Sequence, residues 1–229
     1  MTLQLIIGNR NYSSWSLRAW WYMRASGLSF TTTRIPLFTG SWKQEIARYS
    51  EAGRVPVLLD GDLAVWDTMA IFAHLQERFP ESALGWPAEQ PARSRARSLA
   101  AEMHSGFMAI RDELPQNLRA RNPRELSSYS ASGQREIARM HAMWTHCYEQ
   151  HDGPWLFGDR GIVDAMYAPV ALRFVTYGIV TPEPAAAFVR AVTDDPHIAE
   201  WVAEARAEEE SLPFIDNLQP ASDSPLTLG

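Results

Sequence analysis

The feature that most constrains this chain is a proline at the start of a short apolar run, Val55-Pro56-Val57-Leu58. Proline cannot donate a hydrogen bond to a sheet ladder, so it is confined to the start or the edge of a strand. A cis peptide bond before Pro56 is one way to place it there, at a cost of about 0.5–1 kcal/mol. Such a bond leaves the backbone N–H and C=O of Val55 free to pair with an extended peptide.

A tight hairpin follows this proline. Residues 60–62, Asp-Gly-Asp, reverse the chain, and a second strand from Leu63 to Trp66 leads into Asp67 and Thr68, which begin a helix. A helix N-terminus attracts carboxylates through its dipole and its free N–H groups. The hairpin therefore predicts a peptide-binding edge beside an anion site, which suits a small, charged, peptide-like ligand.

The order of predicted elements indicates two parts. Strand and helix patterns follow one another as strand, helix, strand, helix, strand, strand, helix within about the first 80 residues. The β-α-β start implies a parallel strand pair with a right-handed crossover. Beyond it only helical periodicity appears, beginning with one long helix at 92–114. We therefore expect a domain at 1–80, a linker at 81–91, an all-α domain at 92–212 and an extended tail at 213–229.

Composition and charge narrow the possible functions. The net charge of −6 disfavours non-specific nucleic-acid binding. The single cysteine, Cys147, permits no internal disulfide and no cysteine-based zinc cluster, and it fits a reducing compartment. The first residues lack the basic start and the long apolar core of a signal peptide. The sequence also has no uninterrupted apolar stretch of about 18 residues, the length needed to span a membrane. We expect a cytoplasmic protein that binds no metal, no nucleic acid and no membrane.

Hydroxyl residues crowd the start of the first helix, in the run N-Y-S-S-W-S-L-R at residues 11–18. Capping the helix accounts for one serine and contributes about 1 kcal/mol. It does not account for Ser13, Ser14 and Ser16 together, with Tyr12 and Arg18 beside them. This combination at a helix start favours a site that stabilises an oxyanion or a thiolate.

The element order and three motifs together resemble the cytosolic glutathione transferases. Residues 13–18, S-S-W-S-L-R, resemble the S-S-x-S-x-R signature of zeta-like members. Residues 53–58, G-R-V-P-V-L, resemble the G-K/R-V-P-x-L motif that carries the family's cis-proline. Residues 66–71, W-D-T-M-A-I, resemble the E-S-x-A-I element that holds the γ-glutamyl end of glutathione. The resemblance spans residues 3 to 205 and implies an α+β/α fold: a thioredoxin-like βαβαββα domain followed by an all-α helical bundle.

By this resemblance glutathione is the co-substrate and Ser13 stabilises its thiolate, with Ser14 the second candidate and Tyr12 the third. A free thiol has a pKa near 8.5, and lowering it by about two units requires about 2.7 kcal/mol. A charge-assisted hydrogen bond and a helix N-terminus can supply that free energy. The same resemblance implies glutathione contacts from Val55 beside Pro56, from Asp67 and Thr68 for the γ-glutamyl group, and from Lys43 and Arg54 for the glycyl carboxylate.

The predicted helix at 92–114 also borders the second-substrate pocket in this architecture. His104, Phe107 and Arg111 share one face of it at spacing i, i+3, i+7, and with Tyr12 they suit an electrophile that carries a carboxylate or a carbonyl. A helix–helix contact or a dimer seam explains the same spacing.

The function implied is a homodimeric, detoxifying glutathione transferase of the EC 2.5.1.18 type that acts on a small electrophile. One alternative is a glutathione-dependent cis-trans isomerase of the maleylacetoacetate type, although Trp15 occupies the place where those enzymes usually have cysteine. The other alternative is a non-catalytic glutathione-binding protein on the same scaffold.

Overall fold

A computed structural model describes residues 2–217 of the chain. Its N-terminal part contains a four-stranded sheet. The strands are β1 (Leu3–Ile7), β2 (Phe30–Arg34), β3 (Val57–Asp60) and β4 (Leu63–Trp66). Their order in the sheet is β2-β1-β3-β4; β1 and β2 are parallel, and β3 is antiparallel to both β1 and β4. The predicted β-α-β start and the following hairpin are therefore confirmed.

Three helices accompany this sheet: α1 (Ser14–Ala25), α2 (Trp42–Ala47) and α3 (Thr68–Arg78). α1 is buried around most of its circumference, and its buried side chains include Leu17, Trp20 and Trp21. A helix of this kind is stable only when it is covered on both sides. α1 is covered by the sheet and α3 on one side and by the C-terminal helices on the other, so its N-terminus lies where the two parts meet.

The C-terminal part is helical, as predicted. Its central helix, α7 (Ile162–Tyr177), is buried along almost its whole length, and its N-cap residue is Gly161, which has no side chain to act as a cap. The carboxylate of Asp164 compensates, because it accepts hydrogen bonds from the backbone N–H groups of Leu156 (3.0 Å) and Gly161 (2.8 Å). The helices are α4 (Gln90–Ser105), α5 (Met108–Glu113), α6 (Ala131–Gln150), α7 (Ile162–Tyr177), α8 (Ala186–Thr193), α9 (Pro196–Ala207) and α10 (Pro213–Asp216), with a 3₁₀ turn at Leu126–Ser128.

The prediction of one helix across 92–114 is wrong. The chain leaves the helix at Gly106, and Phe107 has a left-handed backbone with a φ of +58°. Arg111 donates to the carbonyls of Gly106 (3.0 Å) and Met103 (2.5 Å), which are left free where α4 ends. His104, Phe107 and Arg111 therefore do not share one helix face.

The prediction of an extended tail from residue 213 also differs from the structure, because Pro213–Asp216 form the short helix α10. Proline is tolerated in the first turn of a helix, where its missing N–H has no partner to lose. The remaining part of the predicted tail, 218–229, lies outside the described residues.

One hydrophobic core runs through both parts and contains side chains from β1, α1, α3 and the C-terminal helices. Across residues 2–217, the helices are all too short or too polar to cross a lipid bilayer.

Candidate functional site

A cavity of about 520 Å³ opens between the β3–β4 hairpin, the start of α1 and the end of α4. Both parts of the protein contribute to its wall, because His104 comes from the helical part and the other lining residues come from the sheet part. The lining residues are Trp15, Ala52, Arg54, Val55, Pro56, Trp66, Asp67, Thr68 and His104.

The hairpin wall contains the proline that the sequence singled out. The Val55–Pro56 peptide bond is cis, as predicted. Pro56 is buried, whereas Val55 is half-buried and Arg54 is exposed. The sheet pairing of this segment begins only at Val57, so Val55 lies at the cavity wall before the ladder starts.

The N-terminus of α3 forms the adjacent wall. Asp67 has a positive φ of 71° and caps the helix, since its carboxylate accepts a hydrogen bond from the N–H of Met69 at 2.9 Å. Thr68 is fully buried, and its hydroxyl has no hydrogen-bond partner among residues 2–217. A buried hydroxyl without a partner is unfavourable, and a polar ligand at this wall would relieve that cost.

His104 reaches the same cavity from the last turn of α4. Its Nε2 lies 3.2 Å from a carboxylate oxygen of Asp67, and its ring meets the Trp15 ring edge-on at 5.3 Å. His104 therefore belongs to the cavity that the hairpin lines. Of the second-substrate residues expected from the sequence, it is the one placed there.

Phe107, Arg111 and Tyr12 do not line this cavity. Phe107 is buried in the shared core, and Arg111 is turned back onto the end of α4, although its guanidinium still lies 4.9 Å from the centre of the Trp15 ring. Tyr12 faces the C-terminal segment, where its hydroxyl lies 2.9 Å from both carboxylate oxygens of Asp216. Burial, followed by the Asp216 hydrogen bond, raises the pKa of Tyr12, so its hydroxyl stays protonated.

Lys43 is also away from the cavity. It lies on α2 with its side chain exposed, and its ammonium group is 5.6 Å from the ring of Trp42. Of the two cations expected to meet the glycyl carboxylate, the structure brings Arg54 to the cavity and leaves Lys43 outside it.

Ser13 and Ser14 lie at the foot of α1, directly before Trp15. Ser13 caps the helix: its hydroxyl accepts from the N–H of Ser16 (3.2 Å) and donates to the Ser16 hydroxyl (2.8 Å). The Ser14 hydroxyl accepts from the guanidinium of Arg173 at 3.1 Å. The two serines are 8% and 5% exposed and do not themselves line the cavity, whereas Trp15 does.

Three arginines make the surroundings of this helix start positive. Burial, and then repulsion from Arg111 and Arg173, holds the pKa of Arg18 well below its ordinary value. Burial likewise lowers the pKa of Arg173 to about 10 and lowers the pKa of Arg111. The ion pairs found among residues 2–217 include none of the three. Such a cluster favours an anion nearby.

The sequence interpretation missed Arg173. A signal was available, because Arg173 is the one cation in the largely apolar α7 segment, Ile162–Tyr177. A helix that is apolar on most of its faces must be buried, and a buried charge is unfavourable unless it is paired or hydrogen-bonded. A cation in such a helix therefore indicates a binding or catalytic site, or a buried ion pair.

Among residues 2–217 there is no group of three or more His, Cys, Asp or Glu side chains placed to hold a metal ion. Cys147 is buried, and burial raises the pKa of its thiol to about 11.

Comparisons with known proteins agree with this architecture. Residues 12–78 match the family model for the glutathione S-transferase N-terminal domain. Glutathione S-transferase 1 of Dianthus caryophyllus is 26% identical over 180 residues, which cover 76% of this chain and 78% of the relative.

Solved structures show the same fold. A glutathione transferase homolog from Burkholderia BGR1, crystallised with bound glutathione, is 24% identical, has a TM-score of 0.67 and is matched over 91% of this chain and 100% of its own. A maleyl pyruvate isomerase, described as a bacterial zeta-class protein, is 19% identical with a TM-score of 0.66 over 91% of this chain and 100% of its own. The chain thus has the two-domain fold of the glutathione transferases: a thioredoxin-like N-terminal domain followed by a helical domain.

Proposed function

We propose that this protein is a glutathione transferase, which binds glutathione in the cavity between the hairpin and α3 and transfers its thiolate to a small electrophile. The observation that carries the proposal is the wall formed by Asp67 and Thr68. It presents a carboxylate, a helix N-terminus and a buried unpartnered hydroxyl side by side. A group that bears both an ammonium and a carboxylate, such as the γ-glutamyl end of glutathione, complements this wall.

The rest of the tripeptide follows the hairpin in this proposal. The backbone of Val55, which lies before the sheet ladder, pairs with the cysteinyl unit, and the exposed guanidinium of Arg54 meets the glycyl carboxylate. Lys43 has no part in this arrangement, because its side chain lies outside the cavity.

The thiolate is stabilised at the foot of α1. Ser13 is the proposed donor: its hydroxyl turns from Ser16 toward the sulfur, while the N–H of Ser16 continues to donate to it. The helix N-terminus and the positive cluster of Arg18, Arg111 and Arg173 add to this stabilisation. Ser14 is the second candidate, because its hydroxyl already accepts a hydrogen bond from Arg173, which strengthens its own donation.

A second candidate reaction is the glutathione-dependent isomerisation of a cis double bond in a dicarboxylate. The observation that favours it is the same arginine cluster, since buried cations without carboxylate partners suit an anionic substrate. Both reactions begin with the same thiolate.

We also propose that the protein is a homodimer. Leu63 and Trp66 on the edge strand β4 are 52% and 43% exposed, and Met108 at the start of α5 is 58% exposed. Large exposed apolar side chains of this kind mark contact surfaces. Sedimentation equilibrium would show a monomer if this is wrong.

The test is glutathione binding by calorimetry together with conjugation of a chloronitrobenzene, for wild type, Ser13→Ala and the control Ser98→Ala, whose hydroxyl lies on the exposed face of α4. We expect wild type and the control to bind and conjugate. Ser13→Ala should bind within about threefold but lose roughly 10–100-fold in kcat, the equivalent of one hydrogen bond to a charged group. A wild-type protein that does not bind glutathione would refute the proposal, and a cis-configured dicarboxylate distinguishes conjugation from isomerisation.

A further inference from the structure

The loop between β1 and α1, residues 9–13, carries Ser13 and is here called the serine loop. Within its own domain the loop is held by few contacts. The carbonyl of Asn9 accepts from the N–H groups of Tyr12 (3.3 Å) and Ser13 (2.8 Å), and the side chain of Asn9 accepts from the N–H of Leu37 (2.8 Å). The backbone N–H groups of Arg10 and Asn11 find their partners elsewhere.

Those partners are the two carboxylate oxygens of Glu208, a residue almost 200 positions away that directly follows α9. One oxygen accepts from the N–H of Arg10 at 2.8 Å, and the other accepts from the N–H of Asn11 at 3.1 Å. Glu208 is 9% exposed, and the guanidinium of Arg34 lies 3.6 Å from it. The carboxylate therefore clamps two consecutive peptide groups of the serine loop.

Further contacts from the helical domain hold the same loop. The indole N–H of Trp201 donates to the carbonyl of Arg10 at 3.1 Å. The side chain of Asn11 donates to Asn117 (2.9 Å) and accepts from the N–H of Arg119 (2.9 Å). The position of the serine loop is thus determined by residues of the helical domain, with Glu208 supplying the only charged acceptor described for its backbone among residues 2–217.

We propose that Glu208 is a positioning residue for thiolate formation: by clamping the serine loop it holds the Ser13 hydroxyl where it can donate to the sulfur of glutathione. This inference rests on the proposed function. A carboxylate is required at this place because both of its oxygens accept, whereas an amide would accept from one N–H and oppose the other with its own N–H groups. The residue after α9 therefore helps to set the pKa of a thiol bound in the other domain.

The test compares Glu208→Gln with Glu209→Gln, a neighbouring exposed glutamate that accepts no hydrogen bond from the serine loop among residues 2–217. Amide hydrogen exchange of residues 9–13 measures the clamp, and the absorbance of the bound thiolate as a function of pH measures the thiol pKa. In Glu208→Gln we expect exchange to be at least tenfold faster and the thiol pKa to rise by about one unit, which is tenfold less thiolate at a fixed pH below the pKa. Glutathione affinity should stay within about threefold, because Glu208 does not line the cavity.

A general loss of structure would not give the same pattern. The activity of Glu208→Gln should recover toward that of wild type at pH 9, where the thiol ionises without help, and Glu209→Gln should behave as wild type throughout. If Glu208→Gln does not fold, Glu208→Asp carries the test, because it keeps both acceptor oxygens on a shorter stem and should give a smaller rise in the thiol pKa.

Three outcomes would overturn the inference. Unchanged exchange in the serine loop would show that Glu208 does not clamp it, whether or not glutathione binds. Faster exchange with an unchanged thiol pKa would reduce Glu208 to a structural role. A wild-type protein that leaves the thiol pKa of glutathione unaltered would refute the proposed function itself, and the inference with it.

Discussion

The two walls of the candidate site are built in different ways. The wall that contains Val55 and Asp67 is local, since a hairpin and the helix after it bring residues 54–68 together within fifteen positions of sequence. The other wall, here called the remote wall, is the start of α1. Trp15 lines the cavity there, and the serine loop just before it is held by residues 117–119 and 201–208, which lie about a hundred positions or more away.

In the proposed function this difference separates glutathione binding from thiol activation. We propose that the local wall binds glutathione, and it stays intact as long as the hairpin and α3 fold. We propose that the hydroxyl and the positive cluster of the remote wall act on the sulfur. Changes in the first region should therefore alter affinity, and changes in the second should alter the thiolate and the rate.

The largest effect is expected from Asp67→Asn in the local wall. Losing the charge that we propose faces the γ-glutamyl ammonium should weaken glutathione binding roughly 10–100-fold, whereas asparagine still caps α3 and the stability should hardly change. Calorimetric titration measures the affinity. Asp62→Asn, an exposed residue in the turn of the same hairpin, is the control and should bind as wild type does. Equal affinity in both variants would place the ligand elsewhere.

Arg173→Met tests the remote wall. The conjugation rate should fall about tenfold while glutathione affinity changes by less than about threefold, because Arg173 touches Ser14 and not the cavity wall. The free energy of unfolding should not fall by more than about 1 kcal/mol, since removing a buried charge also removes its desolvation cost. Arg190→Met, an exposed arginine on α8, should leave both quantities unchanged. A large loss of affinity in Arg173→Met would contradict the separation of the two walls.

Thr68→Val should weaken glutathione binding by about five- to tenfold without lowering the free energy of unfolding. The Thr68 hydroxyl has no hydrogen-bond partner within the described residues, so its removal breaks no hydrogen bond in the free protein. Only the complex with the ligand loses one. Thr176→Val is the matched control: its buried hydroxyl donates to the carbonyl of Asn117 at 3.4 Å, so this change should lower stability by about 1 kcal/mol and leave binding alone. The reverse pattern would show that Thr68 does not meet the ligand.

The smallest effect is expected for Cys147, which belongs to neither wall. Burial raises the pKa of its thiol to about 11, so only a trace is ionised at pH 8. Iodoacetamide should leave Cys147 unmodified in the native protein at that pH and label it after unfolding. Rapid labelling with loss of activity would add a reactive thiol to the site.

The fold and the local wall could be predicted from the sequence because their signals are local. Short apolar runs marked the strands, and the spacing of Pro56 and Asp67 placed the hairpin and the start of α3. The break between α4 and α5 was missed, although Gly106 was visible, because apolar periodicity continues on either side of it. Phe107 and Arg111 were consequently assigned to one helix face together with His104, whereas the structure has two separate helices there.

The remote wall could not be predicted in this way. Tyr12 donates to Asp216, and Glu208 accepts from the backbone N–H groups of residues 10 and 11. Neither pairing leaves a pattern in the sequence, because the partners lie about 200 positions apart and every residue except proline carries a backbone N–H donor. Lys43 was assigned by its charge and its place in the family resemblance, yet its helix directs it away from the cavity. Arg173 was the one long-range feature with a sequence signal.

The most direct test of the central claim is the thiol pKa of glutathione bound to wild type and to Ser13→Ala, followed by thiolate absorbance as the pH is raised. A wild-type value near 6.5, about two units below that of a free thiol, with a rise of at least about one unit in Ser13→Ala, is the predicted result. A bound thiol that titrates near 8.5 in wild type, or an equal pKa in the two proteins, would contradict the claim that a hydroxyl at the foot of α1 stabilises the sulfur anion.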